Sequence, residues 1–160
     1  MRERGRRCGA APLRRSAAAF ALDPMPIKTK RWNDPVAPDD GYRLLVCRYR
    51  PRGVRRQDET WGAWVPDLGP SRELHADFYG KDGPPIGWAK YRRRYLAEMK
   101  GQAEQIVELA GRAARENVTL LCSSACTDPQ RCHRTLLAGL IGKRSTERRR
   151  ARRARRERAR

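Results

Sequence analysis

Five cysteines stand out as the chain's reactive groups: Cys8, Cys47, Cys122, Cys126 and Cys132. Three of them fall in one stretch, Cys122-Ser123-Ser124-Ala125-Cys126-Thr127-Asp128-Pro129-x-x-Cys132-His133-Arg134. A thiolate is both a nucleophile and a soft metal ligand, and its pKa falls beside arginines and at helix N-termini. The stretch therefore supports three chemistries. As a nucleophile site it supplies Cys122 or Cys132, with His133 as acid/base. As a metal site it supplies Cys122, Cys126, Cys132 and His133 in a C-x3-C-x5-C-H spacing. That spacing departs from the paired C-x2-C knuckles of structural zinc, and neighbouring Cys132 and His133 on a helix would point about 100° apart, so a metal is not the favoured reading. The plain reading is that the cysteines pack as small hydrophobes. A second stretch, Cys47-Arg48-Tyr49-Arg50-Pro51-Arg52-Gly53, adds a further thiol and the arginines Arg48 and Arg52. With Ser123, Ser124 and Arg134 these form a candidate pocket for an anionic substrate, phosphate or nucleotide-like, and Cys47 is a candidate second thiol. The sequence names no cofactor.

The elements that must position these residues are legible in the apolar pattern. Residues 27–31 read as a first short strand, and Pro35, Pro38 and Asp39-Asp40-Gly41 as a loop. The run YRLLVC at residues 42–47 is continuously apolar after its first two residues, as in a strand buried on both faces. Trp61, Trp64, Val65 and Leu68 read as an irregular cover of the sheet, with the tryptophans as core rather than base-stacking platforms. Ser71 is placed to cap a short helix through Tyr79, on which His75 reads as solvated. Trp88, Tyr91, Tyr95 and Met99 recur at helical steps, with Arg92, Arg93 and Arg94 on the other face and Glu98 spaced to pair with Arg94. After a break at Gly101 the pattern resumes through Ile106, Leu109, Ala110 and Ala113. VTLLC at residues 118–122 is the second strong strand. Asp128 and Pro129 read as the start of a helix carrying Leu136, Leu137, Leu140 and Ile141, stopped by Gly142. Strands separated by long helices imply crossovers and a mostly parallel sheet, hence a single compact three-layer α/β domain. Both cysteine stretches then lie at carboxyl ends of strands, where open parallel sheets bind ligands.

The net charge of +19 is concentrated at the ends. Residues 1–24 carry six arginines against Glu3 and Asp23, a net +4. Residues 143–160 carry eleven Lys/Arg against Glu147 and Glu157, a net +9, leaving +6 for residues 25–142. The division expected is a disordered basic N-terminal extension (1–24), an α/β domain (25–142) and a disordered or frayed Arg-rich tail (143–160) with no apolar stripe to dock it. Met25 is read as the true translation start. The alternatives to an enzyme are a binding module whose tails offer non-specific affinity for nucleic acid or an acidic partner, and a metal- or redox-responsive protein without turnover. No run of about 18 apolar residues exists to span a membrane. An odd cysteine count without a secretory h-region points to free thiols in a reducing, cytoplasmic setting.

The chain resembles the bacterial and archaeal family called domain of unknown function 488, which includes the YeaO-like proteins. The resemblance runs from about residue 27 to 141. It rests on Thr29-Lys30-Arg31 followed by Asp34-Pro35, Asp40-Gly41-Tyr42-Arg43, Pro51-Arg52-Gly53 and Leu68-x-Pro70-Ser71-x-Glu73-Leu74. It continues through Tyr91-Arg92-Arg93-Arg94-Tyr95, the VTLLC strand and Asp128-Pro129-x-x-Cys132-His133-Arg134. The resemblance implies a compact three-layer α/β fold and no established reaction. The common family pattern has a carboxylate and a tryptophan where this chain has Cys47 and Arg50.

Overall fold

A computed structural model describes residues 27–160. The N-terminal extension, Cys8 and the proposed start at Met25 lie outside the described residues. Four strands, β1 (Lys28–Arg31), β2 (Tyr42–Leu45), β3 (Ala63–Trp64) and β4 (Val118–Cys122), form one all-parallel sheet in the order β1-β4-β2-β3. Four helices follow the chain: α1 (Arg72–Tyr79), α2 (Trp88–Glu98), α3 (Ala103–Ala113) and α4 (His133–Arg158). The expected α/β class with a parallel sheet flanked by helices is the observed one.

The central strands are apolar because both faces are covered. Leu44 pairs with Leu120 and Leu45 with Leu121, so alternate positions feed two separate cores. Leu44, Val46, Val118 and Leu120 meet Leu74, Tyr95, Ile106 and Leu137, one or more from every helix. Each such leucine contributes roughly 1.5–3 kcal/mol by leaving water. On the opposite face Leu45 and Leu121 meet Trp32, Val54 and Trp61, all outside helices, together with Cys47, Cys122 and Cys132. One layer of the domain is thus loop and tryptophan, and the cysteines belong to that layer. Trp61 is buried as read, whereas Trp64, read as core in an irregular segment, is exposed on strand β3, its Nε1 donating to the Cys47 carbonyl at 2.9 Å.

Two residues fix the junctions on which the site depends. Gly41 enters β2 at φ 61°, a left-handed conformation that disfavours a side chain. A Cβ there would lie 2.2 Å from the Asn117 carbonyl oxygen, the same oxygen that accepts the Tyr42 amide at 2.8 Å and sets the β2–β4 register. Gly41→Ala is therefore expected to destabilise the protein by more than about 2 kcal/mol, combining backbone strain with overpacking. A urea titration reads this as a lower midpoint at unchanged slope. Ser71 caps α1 as expected, its Oγ accepting from the Leu74 amide at 3.1 Å. Glu98, expected to pair along its own helix, instead accepts from the Ser71 amide and hydroxyl at 2.9 and 2.6 Å, clamping the start of α1 to the end of α2. Arg94 turns to Asp77 on α1.

Three expectations for the last third are corrected. Asp128 and Pro129 cap only a single 3-10 turn, Pro129–Arg131; Cys132 is then extended (φ −131°, ψ 139°) and the long helix starts at His133. Gly142 does not stop α4, since an interior glycine costs only about 1 kcal/mol and good helix formers flank it. The Arg-rich tail is accordingly the continuation of α4, helical to Arg158, anchored by buried Leu137, Ile141 and Ser145. Among the described residues no helix is long and apolar enough to cross a membrane.

Candidate functional site

β2 and β4 are neighbours and parallel, so the chain leaves both at one edge of the sheet. The Val46 amide continues the ladder to the Leu121 carbonyl at 2.9 Å, which brings Cys47 beside Cys122 in the second core. The loop after β2 then passes close to Gly69, where a Cβ would lie 2.8 Å from both the Arg48 nitrogen and the Val46 oxygen. At this edge a cavity of about 380 Å³ opens, within the range of small-molecule sites. Its floor is Cys122, Cys126 and Cys132; its cationic wall is Arg48, Arg50, Arg52 and Arg131.

The three Sγ atoms lie within 4.8 Å of one another, and Cys122 Sγ is 3.3 Å from Cys126 Sγ. Cys132 reaches this cluster because it is extended and not helical, so the expected 100° divergence from His133 does not apply. Cys122 and Cys132 are 1% and 3% exposed, while Cys126 is half-buried and reaches the cavity. Hydrogen bonds from Cys122 and then Cys132 hold the Cys126 thiol pKa far below its usual value; burial opposes this, and His133 and Arg134 assist. The same sharing raises the other two: Cys122 mainly through its bond to Cys126, Cys132 through its bonds to Cys122 and Cys126. Hydrogen bonds shared among the three thiols favour a thiolate at Cys126, the one that reaches the cavity, beside the positive N-terminal end of α4 with its N-cap at Cys132. As a donor set, three convergent thiols also suit a thiophilic cation.

His133 is buried, with Nε2 2.9 Å from the Val46 carbonyl oxygen. A carbonyl only accepts, so Nε2 carries the proton and Nδ1 offers a lone pair. Burial lowers the His133 pKa, against the Val46 bond that raises it. Its Nδ1 lies 3.9 Å from Cys122 Sγ, longer than a proton-transfer hydrogen bond. His133 therefore props the β2 exit and faces Cys122.

The other sequence candidates divide. Arg48 lines the cavity with its Nε donating to the Pro70 carbonyl at 2.6 Å; Arg52 lines it from an exposed turn, and Ser123 and Ser124 border the floor. Arg134 does not line the cavity: it is 4% exposed and Nη2 donates to the Cys126 carbonyl at 3.2 Å, holding the loop from behind. Cys47 lines the cavity but is 6% exposed.

Sequence reasoning missed Arg131, Tyr49, Tyr79 and His75. His75 is not solvated: it is half-buried in the cavity wall between Tyr49 (5.1 Å) and Tyr79 (4.7 Å), and burial first, then Lys81 and Arg48, lowers its pKa. The signal available was His75 and Tyr79 at i,i+4 on one helix face. Tyr79 lines the same wall and is half exposed.

Comparison with known proteins agrees with this geometry's origin. The family described as the active DUF488-N3 subclade matches residues 27–145. The uncharacterised protein YeaO of Escherichia coli K12 is 37% identical over 103 residues, 64% of this chain and 87% of that one. The uncharacterised protein Rv3073c of Mycobacterium tuberculosis H37Rv is 31% identical over 117 residues, 72% of this chain and 92% of that one. No solved structure matches. With a parallel sheet, a thiol cluster at its carboxyl edge and a family match over almost the whole described body, the chain belongs to the active DUF488-N3 subclade.

Proposed function

We propose that the protein is a small thiol enzyme acting on an anionic, phosphate-bearing or nucleotide-like substrate, with Cys126 as nucleophile. The supporting observation is a half-buried thiol, 3.3 Å from a second buried thiol, at the floor of an arginine-walled cavity. Cys122 and Cys132, the sequence's nominees, serve as S–H donors to Cys126. Arg48, Arg52 and Arg131 clamp the anion, and Ser123 and Ser124 add hydroxyls at the rim. Tyr49 and Tyr79 supply apolar wall at the mouth. Membership of the active DUF488-N3 subclade supports an enzymatic reading.

The test is ligand protection of Cys126 against brief alkylation. Inorganic phosphate is expected to slow labelling, and a nucleoside monophosphate to slow it at lower concentration. Arg131→Ala is expected to raise the protecting concentration by tenfold or more, on the order of the 1.5–3 kcal/mol of a charged hydrogen bond. Failure of either anion to protect, up to tens of times the buffer concentration, would sink the substrate class.

The mutual 4.8 Å separation of the three thiols supports a second reading, a thiolate-bound Zn2+ or Cu(I). Native mass spectrometry of the full chain separates the two: a mass excess of one metal ion with all three thiols resistant to alkylation replaces the nucleophile reading.

A further inference from the structure

Past Ser145, the last buried residue of α4, the helix changes character. The stripe that docks it runs Leu137, Ile141, Ser145 at steps of four; at the same step it continues as Arg149 and Arg153, flanked by Arg148, Arg152 and Arg156. Residues 150–160 are all exposed. Between 146 and 160 the apolar residues are Ala151, Ala154 and Ala159 alone. Two acids are present, and they pair with Arg144 and Arg153. Arg148 with Arg152, and Arg152 with Arg156, sit at like-charge i,i+4 spacing, which destabilises an isolated helix. The family match ends at residue 145, so this extension is an addition to the shared domain.

We propose that the α4 extension, residues 146–158, is a nucleic-acid-binding helix that lies in a groove of a double helix. Charge density is the first argument. Residues 148–158 hold eight arginines and Glu157, a net charge of seven along roughly 15 Å at 1.5 Å per residue. That is about one positive charge per 2 Å, against one negative charge per about 1.7 Å of duplex axis. Shape is the second. A major groove about 12 Å wide admits one α-helix with phosphates on both sides, and arginines about 100° apart in succession face both walls. The guanidinium fork matches phosphate oxygens in pairs. A membrane surface requires a bulky apolar face, which this segment lacks. An acidic protein partner requires an apolar interface core, which alanine alone does not provide.

The test uses the full chain and a fluorescein-labelled 20-base-pair duplex DNA of mixed sequence, followed by anisotropy from about 50 to 200 mM salt. With six or more phosphates neutralised, affinity is expected to fall on the order of a thousandfold across that range. The combined variant Arg152→Ala, Arg153→Ala, Arg156→Ala keeps helix-favouring residues, with far-UV circular dichroism confirming the fold. It is expected to reduce the log–log salt slope by about 2–3. Absence of binding at 50 mM salt, or a slope unchanged in the variant, overturns the proposal. Tighter binding to polyglutamate or to anionic lipid vesicles than to the duplex overturns it in favour of those partners. Cys126 alkylation is expected to be the same in the variant, so this proposal and the thiol-enzyme reading fail separately.

Discussion

Cys126 is expected to be the first thiol alkylated by iodoacetamide, at a rate that changes by less than about threefold between pH 8 and pH 5. An ordinary thiol with a pKa near 8.5 loses roughly 700-fold of its thiolate over that range, and its rate falls with it. Cys126 has its pKa depressed by the two thiols that donate to it, so its thiolate persists as the pH drops. The distinguishing signature is flatness, because nucleophilicity falls along with pKa and a strongly acidic thiol is not the fastest at pH 8. Cys122→Ala removes the donor at 3.3 Å and is expected to restore a pH-dependent rate at Cys126. The outcome that sinks the assignment is peptide mapping that finds Cys122 or Cys132 labelled first, or a Cys126 rate that falls tenfold per pH unit.

Asp40→Ala is expected to destabilise the protein by about 3–5 kcal/mol, the usual consequence of stripping one partner from a buried ion pair. Asp40 is 1% exposed and Arg43 7%. The Asp40 carboxylate binds the Arg43 guanidinium, sits 2.7 Å from Lys30 Nζ and accepts the Ala37 amide at 3.0 Å. Its loss leaves Arg43 with only Thr60, through the carbonyl at 2.5 Å and the hydroxyl at 3.3 Å. Burial alone would raise the Asp40 pKa, but the Ala37 amide, Lys30 and Arg43 together outweigh it, so the pKa lies below the ordinary 3.8. A depressed carboxylate contributes stability that is fully present above its unfolded pKa and lost as pH falls through the folded one. The gap between wild type and Asp40→Ala should hold from pH 7 to about 5 and narrow below 4. Thermal melts at a series of pH values read this directly, with a drop of roughly 10 °C at pH 7. A gap that stays constant to pH 2.5 would show that the ion pair is not its source.

The wall arginines Arg48, Arg50 and Arg52 and the thiol floor come from segments about 75 residues apart in the chain, joined because β2 and β4 pair in register. The all-parallel order then sends both exits to one side. Helices cover the other face, so the cavity opens into a layer made of loops, where side chains have room to converge.

What the sequence determined by itself was most of the elements, though not β3, whose two residues Ala63–Trp64 lay in a stretch read as irregular, nor the bounds of α4. The apolar runs at 42–47 and 118–122, the Ser71 cap and the break at Gly101 are local signals that burial and backbone geometry obey residue by residue. The thiol cluster was legible as composition and spacing. Which thiol reaches the cavity was decided only by the tertiary structure. An extended Cys132 after one 3-10 turn, a second thiol at 3.3 Å and unequal burial are properties of how loops meet. The same holds for His75 and Arg131, which become cavity wall because α1 and the β4 exit are brought together from distant parts of the chain, and for Arg134, which is buried outside the cavity lining. The arginine tail is the converse case. It has no apolar face by which to predict docking, and its helicity follows from Ile141 and Ser145 seating α4 in the core, so that propagation from a fixed helix replaces nucleation of a new one.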